Sequence, residues 1–141
     1  MLSRYTWKNG PEAIAQHSIA KHRILQAYLS EYFKVLVGGR RDEFKLTLVD
    51  GFAGGGLYYH EDTREVVRGS PLIFLDAARE AEFLVNRDRI HPVHFDLSYF
   101  FIEAQKDAYL HLMKVLQDEG HSARLEKDIF VRHASFRRCS H

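Results

Sequence analysis

The chain has 141 residues, 45% hydrophobic and 13% aromatic, which is at most one domain's length with enough apolar material for a core. Twenty basic residues stand against nineteen acidic, a formal charge of +1, so no global field favours nucleic acid or an anionic membrane. The single cysteine, Cys139, excludes an internal disulfide and a cysteine-based zinc cluster.

No apolar run is as long as a membrane span, and Arg4, Lys8 and Glu12 interrupt the segment where a signal peptide would carry its apolar core. The expectation is a soluble, cytoplasmic protein.

After a polar start, Asn9-Gly10-Pro11 reads as a helix entry, with proline suited to the first turn. A helix is expected from about Pro11 to Val37, with Ile14, Ile24, Leu25, Tyr28, Leu29, Tyr32, Phe33, Val35 and Leu36 on one broad apolar face. His17, Lys21 and His22 on the same helix read as solvated surface groups. Gly38-Gly39 ends the helix, and Arg40-Arg41-Asp42 turns the chain into the first strand.

That strand carries the most informative stretch. Leu46, Leu48 and Val49 form an apolar run that stops at Asp50 and drops into a loop with glycines at 51, 54, 55 and 56. A buried strand feeding a glycine turn is the pattern of a nucleotide-binding loop, and open α/β sheets place ligands at the carboxyl ends of their strands. The spacing narrows the ligand. A dinucleotide fingerprint would need a third small residue where Tyr59 stands, and a P-loop would end in Gly-Lys-Ser or Gly-Lys-Thr. What remains is Asp50-x-x-x-Gly54-x-Gly56, which looks like the first motif of methyltransferases that bind S-adenosylmethionine; a glycine turn without a ligand is the plainer alternative.

Residues 57 to 69 read as an irregular excursion or small hairpin over the ligand end of the sheet. Gly69-Ser70-Pro71 opens a second helix, with Ser70 as cap, Pro71 in the first turn, and Leu72, Leu75, Ala78, Ala81, Phe83 and Leu84 as its buried side. Phe95 to Ile102 is a second strand ending at Glu103. Lys106 to Glu119 is a third helix, with Tyr109, Leu112, Met113 and Leu116 packing on the sheet and Gly120 ending it. Ala123 to Ile129 is the candidate third strand.

Residues 131 to 141 change character. They lack periodicity, carry a basic bias, and suit either a flexible tail or a chain cut short or read out of frame. Helix-strand-helix-strand-helix-strand implies one Rossmann-like α/β domain over residues 1–130, a parallel sheet with flanking helices that is incomplete at its C-terminal side. In that order the ligand-bearing first strand is left unpaired along one edge.

In this class of fold the acid after the second strand accepts hydrogen bonds from ribose hydroxyls, which makes Glu103 the second site candidate. It lies 53 positions beyond Asp50, so the excursion at 57 to 69 reads as an insertion. His91-x-x-His94 lacks a third ligand and the spacing to present both rings on one strand face, and no serine triad is legible.

With these residues in place, the chain resembles the N-terminal half of the three-Cys-motif partner (TcmP) family, whose members look like class I methyltransferases. The resemblance rests on Lys21-His22-x-x-Leu25-x-x-Tyr28-Leu29, on Val49-Asp50-Gly51-Phe52-Ala53-Gly54-Gly55-Gly56-Leu57-Tyr58, and on Gly69-Ser70-Pro71-Leu72, and it covers about residues 17 to 105. It implies S-adenosylmethionine contacts by Asp50, Gly51, Phe52, Gly54 and Gly56, with Glu103 on the ribose, and a three-Cys-motif protein as partner. It names no catalytic residue and no methyl acceptor. A non-catalytic scaffold acting with that partner is the competing expectation; nucleic-acid binding ranks third because the charge is balanced.

Overall fold

A computed structural model describes residues 12–14, 16–36 and 43–135. The elements are β1 (Glu12–Ile14), α1 (Gln16–Leu36), β2 (Glu43–Asp50), β3 (Leu57–His60), β4 (Val66–Arg68), α2 (Ser70–Asn86), β5 (His94–Glu103), α3 (Lys106–Asp118), a 3-10 turn (Ser122–Arg124) and β6 (Ile129–His133). β2, β5 and β6 form a parallel sheet in that order, connected through α2 and α3, which makes the body Rossmann-like. Among the described residues β2 has a strand on one side only, so the glycine-bearing strand is an edge.

Register decides where the core sits. Phe44 lies opposite Phe95, Leu48 opposite Tyr99, Tyr99 opposite Ile129 and Phe101 opposite Val131. Alternation along a strand turns all of these to one face, and that face holds the core with α1, α2 and α3. Phe33 of α1 meets Phe44 and Phe95, Phe74 of α2 stacks on Phe101, and Tyr109 of α3 stacks on His133. α3 ends as expected at Gly120 (φ +89), whose N–H reaches the Gln117 carbonyl while the His121 N–H reaches that of Leu116.

The excursion is a hairpin. β3 and β4 are antiparallel, and β1 adds to β3 in parallel to make a second, three-stranded sheet. Ile14, Ile19, Tyr58 and Ala108 form its own small core. Arg68 ties the hairpin to the main body, donating to Asp76 of α2 at 2.6 and 2.9 Å and to Glu119 beyond α3 at 2.8 and 3.0 Å.

Several expectations shift. The helix expected from Pro11 begins at Gln16, because Glu12–Ile14 is taken up as a strand by pairing with Tyr58–His60; Pro11 and Val37 lie outside the described residues. Only part of the α1 apolar face is buried, since Ile24, Tyr28 and Val35 are 69%, 63% and 76% exposed. Phe83 and Leu84 near the end of α2 are exposed rather than buried.

Val49 also faces solvent, because the sheet is covered by the described helices on one face and not on both. The third strand starts later than Ala123. Arg124 closes on Asp128 through its guanidinium, Glu126 takes φ +64, and the chain straightens only at Ile129. Val131 to His133 therefore belong to β6 rather than to a structureless tail, while residues 136 to 141 lie outside the described part.

Candidate functional site

β2 and β5 deliver two acids to the same end of the sheet. Asp50 is opposite Phe101, two residues before Glu103, so both carboxylates stand at the carboxyl ends of adjacent parallel strands with the glycine loop between them. Asp50 Oδ1 accepts the Phe52 N–H at 3.1 Å, and Oδ2 accepts the hydroxyl of Ser70. Ser70 is thus not the cap of α2. Gly69 holds the N-cap position without a side-chain bond, Pro71 sits in the first turn as expected, and the Ser70 hydroxyl fastens the start of α2 to the end of β2.

Glu103 is 9% exposed and bonded through both oxygens, Oε1 to the Gly54 N–H and Oε2 to the Gln105 N–H, each at 2.8 Å. The loop is pinned at two further points. The Ala53 N–H donates to the Ile102 carbonyl at 3.1 Å, and His111 Nδ1 lies 2.5 Å from the Gly55 carbonyl, on which it acts as donor. Ala53 to Gly56 are buried, Gly51 is half-buried, and Phe52 projects from the loop tip at 85% exposure.

The glycines have work inside the protein. Gly54 has φ +71, and a Cβ there would collide with the Tyr58 hydroxyl. Gly56 has φ +91, and its Cβ would come within 3.1 Å of Leu112 on α3. Both positions need glycine for backbone conformation and for close packing, before any ligand is considered.

His22 is the residue whose environment departs most from the solvated reading. Lys21 is exposed, but His22 is half-buried, its Nδ1 is sealed from solvent without a hydrogen-bond partner, and its ring centroid is 6.0 Å from that of Tyr58. Burial lowers its pKa below 6.5, against the opposing pull of the Asp50 carboxylate. The signal was available in the sequence, since His22, Leu25 and Leu29 recur at helical spacing on the face that packs.

Two of the clefts among the described residues carry titratable groups away from the glycine loop. One of about 340 Å³ runs between α2, β5 and the turn before β6, with Tyr99 on its floor and Arg79, His121 and Arg124 around it; burial pushes the Tyr99 hydroxyl up to about 12. The other, about 320 Å³, lies between α1, β4 and α2 and is lined by His22, Arg68 and Asp76. Neither contains Asp50 or Glu103.

Among the described residues the parallel sheet contains no topological switch point. Ligands in open α/β sheets settle where successive crossovers go to opposite faces, and here both crossovers, through α2 and α3, go to the same face. A switch of side can arise only beyond the outer edge of β2 or of β6, and the glycine loop is at β2.

Among the described residues no three His, Cys, Asp or Glu side chains gather into a metal-holding group, and no helix is long and apolar enough to cross a membrane. No protein-family model matches the chain, and no curated protein matches it in sequence.

Proposed function

We propose that the carboxyl end of β2 and β5 is an S-adenosylmethionine site and that the chain is the N-terminal part of a TcmP-type, methyltransferase-like protein whose acceptor is unassigned. The observation that carries this reading is the placement of Asp50, the loop from Gly51 to Gly56, and Glu103 together at one end of adjacent parallel strands. Nucleotide cofactors bind outside the carboxyl ends of the strands in Rossmann-like sheets.

The residues suit the group chemically. A carboxylate oxygen has two lone-pair directions, so Glu103 can take ribose hydroxyls on the sides its N–H donors leave unused. Gly51, Phe52, Gly54 and Gly56 would frame the remainder, with the Phe52 ring at the open rim. The cofactor would supply an activated methyl group. This chain's own part would be to bind and orient it, with Asp50 holding the loop entrance through Phe52 and Ser70.

The second reading is a non-catalytic partner protein working with a three-Cys-motif protein. It is favoured by the self-sufficiency of the loop, where Tyr58 and Leu112 occupy the space beside the glycines and Glu103 already bonds through both oxygens within the chain.

Isothermal titration with S-adenosylhomocysteine separates the two. Saturable binding that Phe52→Ala at the exposed loop tip weakens supports the cofactor site. No heat of binding in the folded wild type would remove it and leave the scaffold. Gly54→Val is a poor probe, because its clash with Tyr58 damages the loop whether or not a cofactor binds.

A further inference from the structure

Three of the carboxylates around the cleft between α2, β5 and the turn before β6 are already held. Both oxygens of Asp76 and both of Glu119 receive the Arg68 guanidinium, and Asp128 receives that of Arg124. Glu82 is the fourth acid of the wall; it is exposed, and its carboxylate stands outside the ion pairs and hydrogen bonds of the described residues. Arg79 is the loosely held arginine. It is exposed, and Asp76 stands 3.7 Å away, beyond hydrogen-bond distance and already taken by Arg68. Arg79 and Glu82 are three positions apart on α2, which sets their Cβ atoms about 5 to 6 Å apart along one side of the cleft.

The floor beneath them is apolar. Ala78, Leu97 and Tyr99 are buried, and the Tyr99 hydroxyl, pushed up to about 12 by burial, carries no charge at neutral pH. His121 Nδ1 lies 3.4 Å from Arg124, and since a guanidinium only donates, the neutral imidazole keeps its proton on Nε2 as a further donor. Burial and then the Arg124 charge lower the His121 pKa below 6.5, which favours that neutral form. A volume of about 340 Å³ with an apolar floor and a few convergent polar groups is of the size and kind that holds a small molecule.

We infer that this cleft binds a small zwitterion with an apolar side chain, an α-amino acid, whose carboxylate meets Arg79 and His121, whose ammonium meets Glu82, and whose side chain lies on Leu97 and Tyr99. A single charge suits the wall less well. An anion answers Arg79 and leaves Glu82 unmatched, and a cation does the reverse, whereas a zwitterion complements both. The inference does not rest on the cofactor reading, since the cleft contains neither Asp50 nor Glu103.

The test is isothermal titration of the full chain with L-phenylalanine, phenylacetate and phenethylamine, which share one ring and differ in charge. L-phenylalanine should bind saturably at millimolar concentration, and each singly charged probe about fivefold more weakly, the worth of one exposed ion pair. Arg79→Ala and Glu82→Ala should each weaken L-phenylalanine binding to a similar degree with an unchanged thermal melt, because both side chains are exposed, and Arg79→Lys should retain most of the affinity. No saturable binding of L-phenylalanine, equally tight binding of either singly charged probe, or binding that both alanine variants leave intact would each overturn the inference.

Discussion

The two faces of the parallel sheet obey different rules. On the helix side, Leu97, Tyr99 and Phe101 of β5 are 8%, 2% and 0% exposed. On the other side the same strand shows Asp96 and Ser98 toward its amino end and Phe100 and Ile102 toward its carboxyl end, all half-buried. Val49 is 53% exposed there, Phe100 stacks on Phe130 at 4.6 Å, and Lys45 pairs with Asp96 at 3.6 Å. β5 thus alternates like a one-sided strand in its first half and reads as a strand buried on both faces in its second. Chemical type alone does not decide burial in this sheet, since neighbouring phenylalanines of one strand meet opposite environments.

The sharpest way to break that comparison is to truncate those neighbours in turn. Phe101→Ala should cost about 3 to 5 kcal/mol in urea denaturation, because it empties a closed site against Phe74. Phe100→Ala should cost about 1 kcal/mol, since water already reaches its surroundings and it loses chiefly the Phe130 contact. Equal costs would mean that the second face is covered in solution.

Next in size is the glycine loop, where Gly54→Ala should destabilise by about 2 kcal/mol through positive φ and the clash with the Tyr58 hydroxyl. Tyr58→Phe in the same chain should recover part of that loss, because the ring atom behind the hydroxyl is 3.5 Å away. Absence of recovery would show that backbone strain, and not the tyrosine, imposes the glycine.

Arg68→Met removes the tie between the hairpin and the helices and should cost about 1 to 2 kcal/mol, a moderate amount because the group is partly solvated. It should also change the acid limb of stability. The Arg68 hydrogen bond holds the Glu119 carboxyl below its ordinary range, so this contribution is present above the unfolded carboxylate pKa and is lost as pH falls through the folded value. In Arg68→Met that loss on acidification should flatten.

The smallest effect expected is at His22. Its folded pKa is lowered by burial, so the unfolded chain binds the proton more readily, and stability should decline as pH falls from about 6.5 toward the folded value. His22→Leu should remove that part of the decline in melts between neutral and mildly acidic pH. An unchanged slope would place the imidazole in water.

The sequence by itself determined the alternation of helix and strand, the glycine loop after β2, the acids that end β2 and β5, and the Gly120 stop. Each is written in local periodicity or in a residue with one conformational use. Three strands in the order expected for this class also leave β2 unpaired along one edge, and among the described residues it has one strand neighbour.

Only the tertiary structure decided which apolar residues are inside. Val49, Phe83, and Ile24, Tyr28 and Val35 of α1 satisfy the pattern of their elements yet are exposed, and burial depends on what lies opposite. Tertiary contacts also took Glu12–Ile14 out of the helix, moved the last strand to Ile129, drew Ser70 from capping to Asp50, and closed His22 against Tyr58. Apart from the late start of β6, which the local Arg124–Asp128 turn sets, a partner distant in sequence outweighed a local preference, and no local pattern records the partner.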